Sequence, residues 1–358
     1  EYRRQRQMCI RDRVASPAVE HLGLVGLSDS GHAALFAALT GQDVGLAAER
    51  VLGMVDLPDA RLDALAHMSS SKKVVYATFQ IAYLPGLSTE AGKGLGSRLL
   101  GSLRDCDALM LVVRAADGND PARDLRALED ELVLADLGSV EQRLEKQRKA
   151  LRGDKTLTDE VAALERAEAT LSDGDPVYRS DLTAAERALL GPVFLLTNKP
   201  ALVVVNVGLD QLDDADALAA PFGAGALAVC VEIEGDPDVV AAEGPERAEL
   251  LADLGVAESV VPRLARAALT LLGKCTFLTT GDKESRAWTF RAGAAAPECA
   301  GVIHSDLQRG FIRAEVIGWQ ELLDLGSWSK AKEAGKLRVE GKEYVVADGD
   351  VMEIRFNV

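Results

Sequence analysis

The sequence predicts an α/β protein built on a mostly parallel sheet, and three observations carry that expectation. A buried strand, a glycine loop and a helix follow one another without a break between His21 and Gly41. Further apolar runs recur along the chain with helical stretches between them. From about Asp124 to Leu190 this alternation stops, and apolar residues repeat every three or four positions instead.

Taken in order, "HLGLVGL" (His21 to Leu27) reads as a buried strand and "AALFAALTG" (Ala33 to Gly41) as a helix closed by glycine. "VVYATFQIAYL" (Val74 to Leu84), "ALMLVV" (Ala108 to Val113), "ALVVVNV" (Ala201 to Val207) and "ALAVCVEI" (Ala226 to Ile233) read as further strands. In the interruption, Leu137, Val140, Leu144 and Leu151 keep one seam, with Gln147 filling a seam position. After "RGDKTLTD", Leu157, Val161, Leu164 and Leu171 resume it. Two such helices joined by a polar turn make an antiparallel coiled-coil hairpin, either a structural insertion or an arm that touches a partner. From Cys275 the pattern changes again: all three tryptophans lie there, among short strands ("RAWTF", "FIRAEVI", "VMEIRFNV") and glycine turns, as in a compact α+β domain.

The chain has 358 residues, 48% of them apolar and 27% charged, which suits two or three globular domains. A net charge of −16 argues against wrapping nucleic acid by bulk electrostatics, so any RNA contact needs a local basic patch. Five scattered cysteines form no C-x-x-C pair, which points to reduced thiols and to neither a disulfide framework nor a zinc site. No apolar run is long enough to span a membrane. The opening "YRRQRQMCIRDR" (Tyr2 to Arg13) has no apolar period. Written back as codons it matches adapter and mosaic-end sequence from transposase-based library preparation, so residues 1–13 are read as an artefact and carry no targeting claim.

The glycine loop is where chemistry is expected. "GLSDSGHA" sets Gly26 and Gly31 at the spacing of G-x-x-x-x-G-K-[ST], with Ser28, Asp29 and Ser30 between them. His32 stands where the phosphate-binding lysine belongs, and Ala33 where the Mg²⁺-binding hydroxyl belongs.

"LVGLSDSG", "LFAALTG", "LPDARLDALA", "KKVVYATF" and "NKPALVVVNV" then occur in the order and spacing of the YchF/Obg-like ATPases. "SRAWTFRAG", "IHSDLQRGFIRAEVI" and "AKEAGKLRVEGKEYVVADGDVMEIRFNV" resemble that family's TGS domain. The resemblance runs from about residue 18 to the end. It implies a P-loop G-type domain (18–123 and 191–274), an inserted helical coiled-coil arm (124–190) and a ubiquitin-like β-grasp TGS domain (275–358). It implies cytoplasmic proteins that bind ATP with Mg²⁺ in preference to GTP and associate with ribosomes.

Carried over by position, the resemblance also marks what is missing here. The switch-I threonine falls at Ala47 and the D-x-x-G aspartate at Tyr83, with Gly86 kept. The base-reading N-x-x-E keeps Asn206 but has Leu209 for the acid, and the later base-side loop begins at Cys230. A charged hydrogen bond contributes roughly 1.5–3 kcal/mol. Losing about three removes on the order of 5–8 kcal/mol, most of a micromolar complex. Phosphoryl transfer depends on positioning and on that same cation and metal.

The expectation is therefore a homologue with no metal site, no catalytic residue and no tightly bound cofactor. It would act as a binding module toward ribosome, ribosomal protein or RNA through the TGS domain and arm, with no membrane or DNA partner. The alternative is a weak ATPase using compensating residues. In the TGS-like segment, His304, Asp306 and Arg309 lack a nucleophile and read as a turn. Lys283, Arg286, Arg291, Arg309 and Arg313 form either a basic face or ordinary solvated charge, since residues 275–358 hold 11 basic against 13 acidic side chains.

Overall fold

A computed structural model describes residues 21–45, 49–87, 97–223, 225–242, 244–256 and 258–357. Tyr2 to Arg13 and Ala47 lie outside them. The strands run β1 (His21–Gly26), β2 (Val51–Leu57), β3 (Val74–Val75), β4 (Ala77–Tyr83), β5 (Ala108–Arg114) and β6 (Ala201–Asn206). They continue as β7 (Leu227–Val229), β8 (Lys274–Thr279), β9 (Ser285–Arg291), β10 (Phe311–Gly318), β11 (Arg338–Glu340) and β12 (Asp350–Phe356).

The first sheet has the order β2-β4-β1-β5-β6-β7. All its pairings are parallel except β2 with β4. β5 is buried on both faces, as a central parallel strand requires, and reads as an unbroken apolar run. One face carries Leu22, Leu24, Met110 and Val204 under the helices His32–Thr40 and Val261–Leu271. The other carries Val25, Leu109, Leu111 and Val205 against Leu125, Leu128 and Leu132 of the long helix Pro121–Leu151.

That helix begins on a capped turn, Asp120 accepting from the Ala122 amide with Pro121 in the first position. Its first half packs on the sheet. Its second half pairs with helix Thr158–Ser172, where Val140 and Leu144 meet Val161, Leu164 and Leu171. Gln147 is buried in the seam and satisfied, its amide donating to Glu160 Oε1 at 2.8 Å.

The second sheet has the order β11-β10-β12-β8-β9-β3, with β8 and β12 parallel at its centre. Helix Ala296–Ile303 covers one face over Phe277, Phe290, Val316 and Met352. This is a β-grasp.

Two apolar runs divide differently from their expected single strands. Val74 to Leu84 feeds both sheets: β3 pairs with β9, and β4 enters the first sheet after Tyr76, whose hydroxyl donates to Asp63. Ala226 to Ile233 is strand only to Val229. Cys230 then caps the short helix Val231–Glu234, whose buried Glu234 carboxylate accepts from the Val260 amide and the Ser259 hydroxyl. β2 escaped the sequence reading because it is an edge strand, with only alternate residues buried.

The two sheets share one core. Leu62, Leu65 and Phe79 from the first half lie in the same cluster as Leu278, Ala287, Ile317 and Val351, with Trp319 and Trp328 packed against it. Arg61 ties the halves by charge. It pairs with Asp59 and Asp348, each at 2.7 Å, and donates to Thr276 Oγ1 at 2.9 Å. Among the described residues no helix is long and apolar enough to cross a membrane.

Candidate functional site

The glycine loop joins β1 to helix His32–Thr40 at the carboxyl ends of the parallel strands, where open α/β sheets place their ligands. Asp29 (φ 68°) and Gly31 (φ 84°) adopt the left-handed conformation, which bends the loop around its own amides. At Gly31 a Cβ would stand 2.5 Å from Asn206 Nδ2 and 2.7 Å from Val231 Cγ2, so only glycine fits. Asn206 is buried and braces the loop: its amide donates to the Ser30 carbonyl (3.1 Å), and its Oδ1 accepts from the Val231 amide (3.3 Å).

His32 turns inward and is buried. Its ring stacks on Tyr83, 5.1 Å between centroids and 12° between planes, with Phe36 set edge-on to Tyr83 behind. Its Nε2 lies 3.1 Å from the Leu84 carbonyl, which can only accept. The proton therefore sits on Nε2, and Nδ1 of the neutral ring accepts from the Ser30 hydroxyl at 2.9 Å. Burial lowers the His32 pKa below its ordinary 6.5 and outweighs the Leu84 carbonyl, which raises it. Tyr83 is pushed up by burial.

The chain after β4 closes on the loop. Leu84 N–H donates to Leu24 O, Leu87 N–H to Gly26 O, and Ser28 N–H to Leu87 O at 2.9 Å. Gly86 lies so close that a Cβ there would meet Ser28 N at 3.0 Å and His32 Cε1 at 3.2 Å. A phosphoryl group between Ser28 and Gly86 would have to part these contacts. Ser28 and Asp29 remain exposed at the rim, whereas Ser30 is buried and Ala33 half-buried.

On the base side, Asn206 is in contact with the loop as described. Leu209 opens a 3-10 turn with its side chain half-exposed, and Cys230 is buried, its thiol pushed up by burial. The structure thus brings His32, Tyr83, Ser30, Gly86 and Asn206 together, while Leu209 stands apart at the surface. Among the described residues no group of His, Cys, Asp and Glu could hold a metal ion. With neither an ammonium nor a hydroxyl at positions 32 and 33, and with the ring inside the loop, the described residues do not fit the β- and γ-phosphates of an Mg²⁺-nucleotide.

In the second sheet, His304 Nδ1 accepts from the Asp306 amide (3.1 Å) and caps a five-residue helix, and Arg309 pairs with Asp306. Four of the five cations singled out there fall into two groups. Arg286 and Arg291 lie on β9, while Arg309 and Arg313 lie around β10, with β8 and β12 between. Arg286 sits 4.6 Å over the Trp288 ring.

A glycine loop between strand and helix, a six-stranded mostly parallel sheet, a helical hairpin inserted before β6 and a terminal β-grasp together define a P-loop protein of the G type. Comparison with known proteins narrows the class. Residues 275–357 match the family YchF-GTPase_C, described as a "Protein of unknown function (DUF933)". The "Ribosome-binding ATPase YchF" of Bacillus subtilis (strain 168) is 39% identical, covering 94% of this chain and 99% of that protein. Its Escherichia coli O157:H7 counterpart is 37% identical with the same coverage. The solved structure of the Schizosaccharomyces pombe YchF GTPase superposes with a TM-score of 0.81 at 28% identity, over 94% of this chain and 98% of that one. The chain belongs to the YchF family.

Proposed function

We propose that this chain is a cytoplasmic, ribosome-associated YchF homologue that works as a binding module and neither holds nor hydrolyses ATP or GTP productively. The observation that carries this reading is the His32 ring inside its own loop, stacked on Tyr83 and bonded to Ser30 and the Leu84 carbonyl. A neutral imidazole supplies no fixed charge to the phosphates, and Tyr83 supplies no carboxylate to a metal. Ala33 and Ala47 supply no hydroxyl, and Leu209 offers the base no acceptor. The scaffold then serves to present the arm and the TGS half (275–358) to ribosomal RNA or protein, as the names of the bacterial relatives suggest.

A second reading, a weak ATPase, draws on the left-handed residues of the loop and on the Asn206 brace, both of which are in place. Titration calorimetry with ATP and GTP, with and without Mg²⁺, together with a phosphate-release assay, separates the two. The module reading expects no binding below the millimolar range and no release above background. Micromolar binding with steady turnover would establish the second reading instead.

A further inference from the structure

The outer edge of the first sheet carries an unguarded strand. β2 pairs with β4 on one side, and among the described residues no strand lies on the other. An edge strand presents unpaired N–H and C=O groups along its length, and proteins blunt such edges with lysine, proline, a bulge or brevity. β2 has none of these. Its seven residues (Val51–Leu57) hold one register against β4, from Val51 opposite Tyr83 to Leu57 opposite Ala77. Neither lysine nor proline falls within it, and Asp56 is its only charge.

The face it turns to solvent is apolar. Side chains alternate along a strand, so Gly53, Val55 and Leu57 are buried while Leu52 and Met54 stand 44% and 46% exposed, with Asp56 exposed beside them. Arg50 precedes the strand at the same parity. Its guanidinium is only partly satisfied within one molecule. Nη2 lies 2.8 Å from His21 Nδ1, and Nη1 lies 3.5 Å from the mostly exposed Asp105. Nε is buried with no partner among the described residues. A loose exposed pair contributes little, and an unbonded buried N–H costs free energy.

One antiparallel register of β2 against itself answers both features. Centred on Gly53, it sets Leu52 opposite Met54 of the second copy and Met54 opposite Leu52, closing an apolar ladder across the join. The same register sets Asp56 opposite Arg50 of the second copy, and the twofold axis repeats that pair at the other end. A slip of two residues one way puts Leu52 against Asp56. The opposite slip puts Met54 against Arg50, so apolar contact and charge select the same register.

We propose that β2 pairs with β2 of a second copy of this chain, joining the two first sheets into one continuous sheet. The symmetric dimer is held by Leu52, Met54 and the two Arg50–Asp56 pairs. It goes beyond the reading above and does not depend on nucleotide or ribosome binding.

The test uses the full chain. Sedimentation velocity over a concentration series should show a reversible monomer–dimer equilibrium. Met54→Lys, at an exposed position, should weaken the dimer by about ten-fold or more while far-ultraviolet dichroism stays that of the parent. Asp56→Arg should weaken it too, and adding Arg50→Asp to the same chain should restore it by exchanging the charges. A cysteine pair reads the register separately. On mild oxidation, mixed Leu52→Cys and Met54→Cys chains should form a linked dimer faster than either variant alone, with the parent as background. This arm keeps the test decisive if the Arg50→Asp chain folds poorly.

A parent that stays monomeric at the highest concentration, a dimer indifferent to Met54→Lys, or a mixed cysteine pair no faster than its members would each overturn the proposal. A monomeric parent that binds the free peptide RVLGMVDL (residues 50–57) would show that the edge takes a foreign strand, and would overturn it equally.

Discussion

The rings of His32 and Tyr83 lie in near-parallel contact across the gap between the glycine loop and the end of β4. Both are buried, so each ring is part of the other's packing surface as well as a partner in the stack. Truncating either to alanine should destabilise the protein by roughly 2–4 kcal/mol through the cavity left behind. The double mutant should cost less than the sum, with a coupling of about 0.5–1.5 kcal/mol. Urea unfolding of the four proteins measures the cycle. Strict additivity would show that the two rings merely occupy neighbouring space.

The same ring gives stability a pH dependence. His32 takes up a proton less readily folded than unfolded, because burial lowers its pKa below 6.5. The unfolded chain therefore binds more protons below that value, and stability is lost as pH falls beneath about 6.5. Above it both states are neutral and the contribution is complete. His32→Phe keeps an aromatic ring on Tyr83 and cannot titrate. Melting temperatures between pH 7.5 and 5 should fall more steeply for the parent than for this variant, and parallel curves would contradict the assignment.

Much of this architecture was legible in order, and less of it in contact. The strand, loop and helix around Gly26 and Gly31 follow from a local pattern, because a glycine loop between an apolar run and a helical run has few other solutions. The arm follows from its seam, even to Gln147, which the sequence placed at a core position and the structure satisfies through Glu160. What the sequence withheld are pairings between distant segments. His32 and Tyr83 stand far apart in the chain, and nothing local makes an imidazole at the lysine position turn inward. β3 was hidden inside a longer apolar run because periodicity cannot show that its two halves join different sheets.

The join between the sheets should make the molecule unfold as one unit. Burial pushes the Asp348 carboxyl up, but the Thr276 amide and the Arg61 guanidinium overcome it and hold the group below the usual carboxylate range. Arg61→Ala strands Asp59, which is nearly buried, and releases Asp348 and Thr276 from their link to the first half. A loss of about 2–4 kcal/mol is expected. Trp319 and Trp328 pack on the shared core, so tryptophan fluorescence reports the join and not the second sheet alone. In the parent, fluorescence and far-ultraviolet dichroism should give coincident denaturation curves. Arg61→Ala should move both together, and separate transitions would show that the halves unfold independently.

Rebuilding the loop tests which loss matters most. His32→Lys with Ala33→Ser returns the ammonium and the hydroxyl to their positions. The lysine, however, meets the Tyr83 ring and the Leu84 carbonyl that the imidazole now contacts. The loop also stays zipped to Leu87 through the Gly26 and Ser28 bonds. This pair of changes alone should therefore leave Mg²⁺-ATP binding undetectable by calorimetry. Adding Tyr83→Asp removes the ring and supplies a carboxylate toward the metal. Affinity should then rise by on the order of 1–3 kcal/mol over the double mutant. Phosphate release should stay at background, because Leu209 still offers no acceptor to the base and Ala47 no hydroxyl to the metal. If the double mutant already binds as tightly as the triple, Tyr83 is not the barrier. Turnover by the triple mutant would mean that the losses at Ala47 and Leu209 count for little, and that the present loop is closed by its two rings alone.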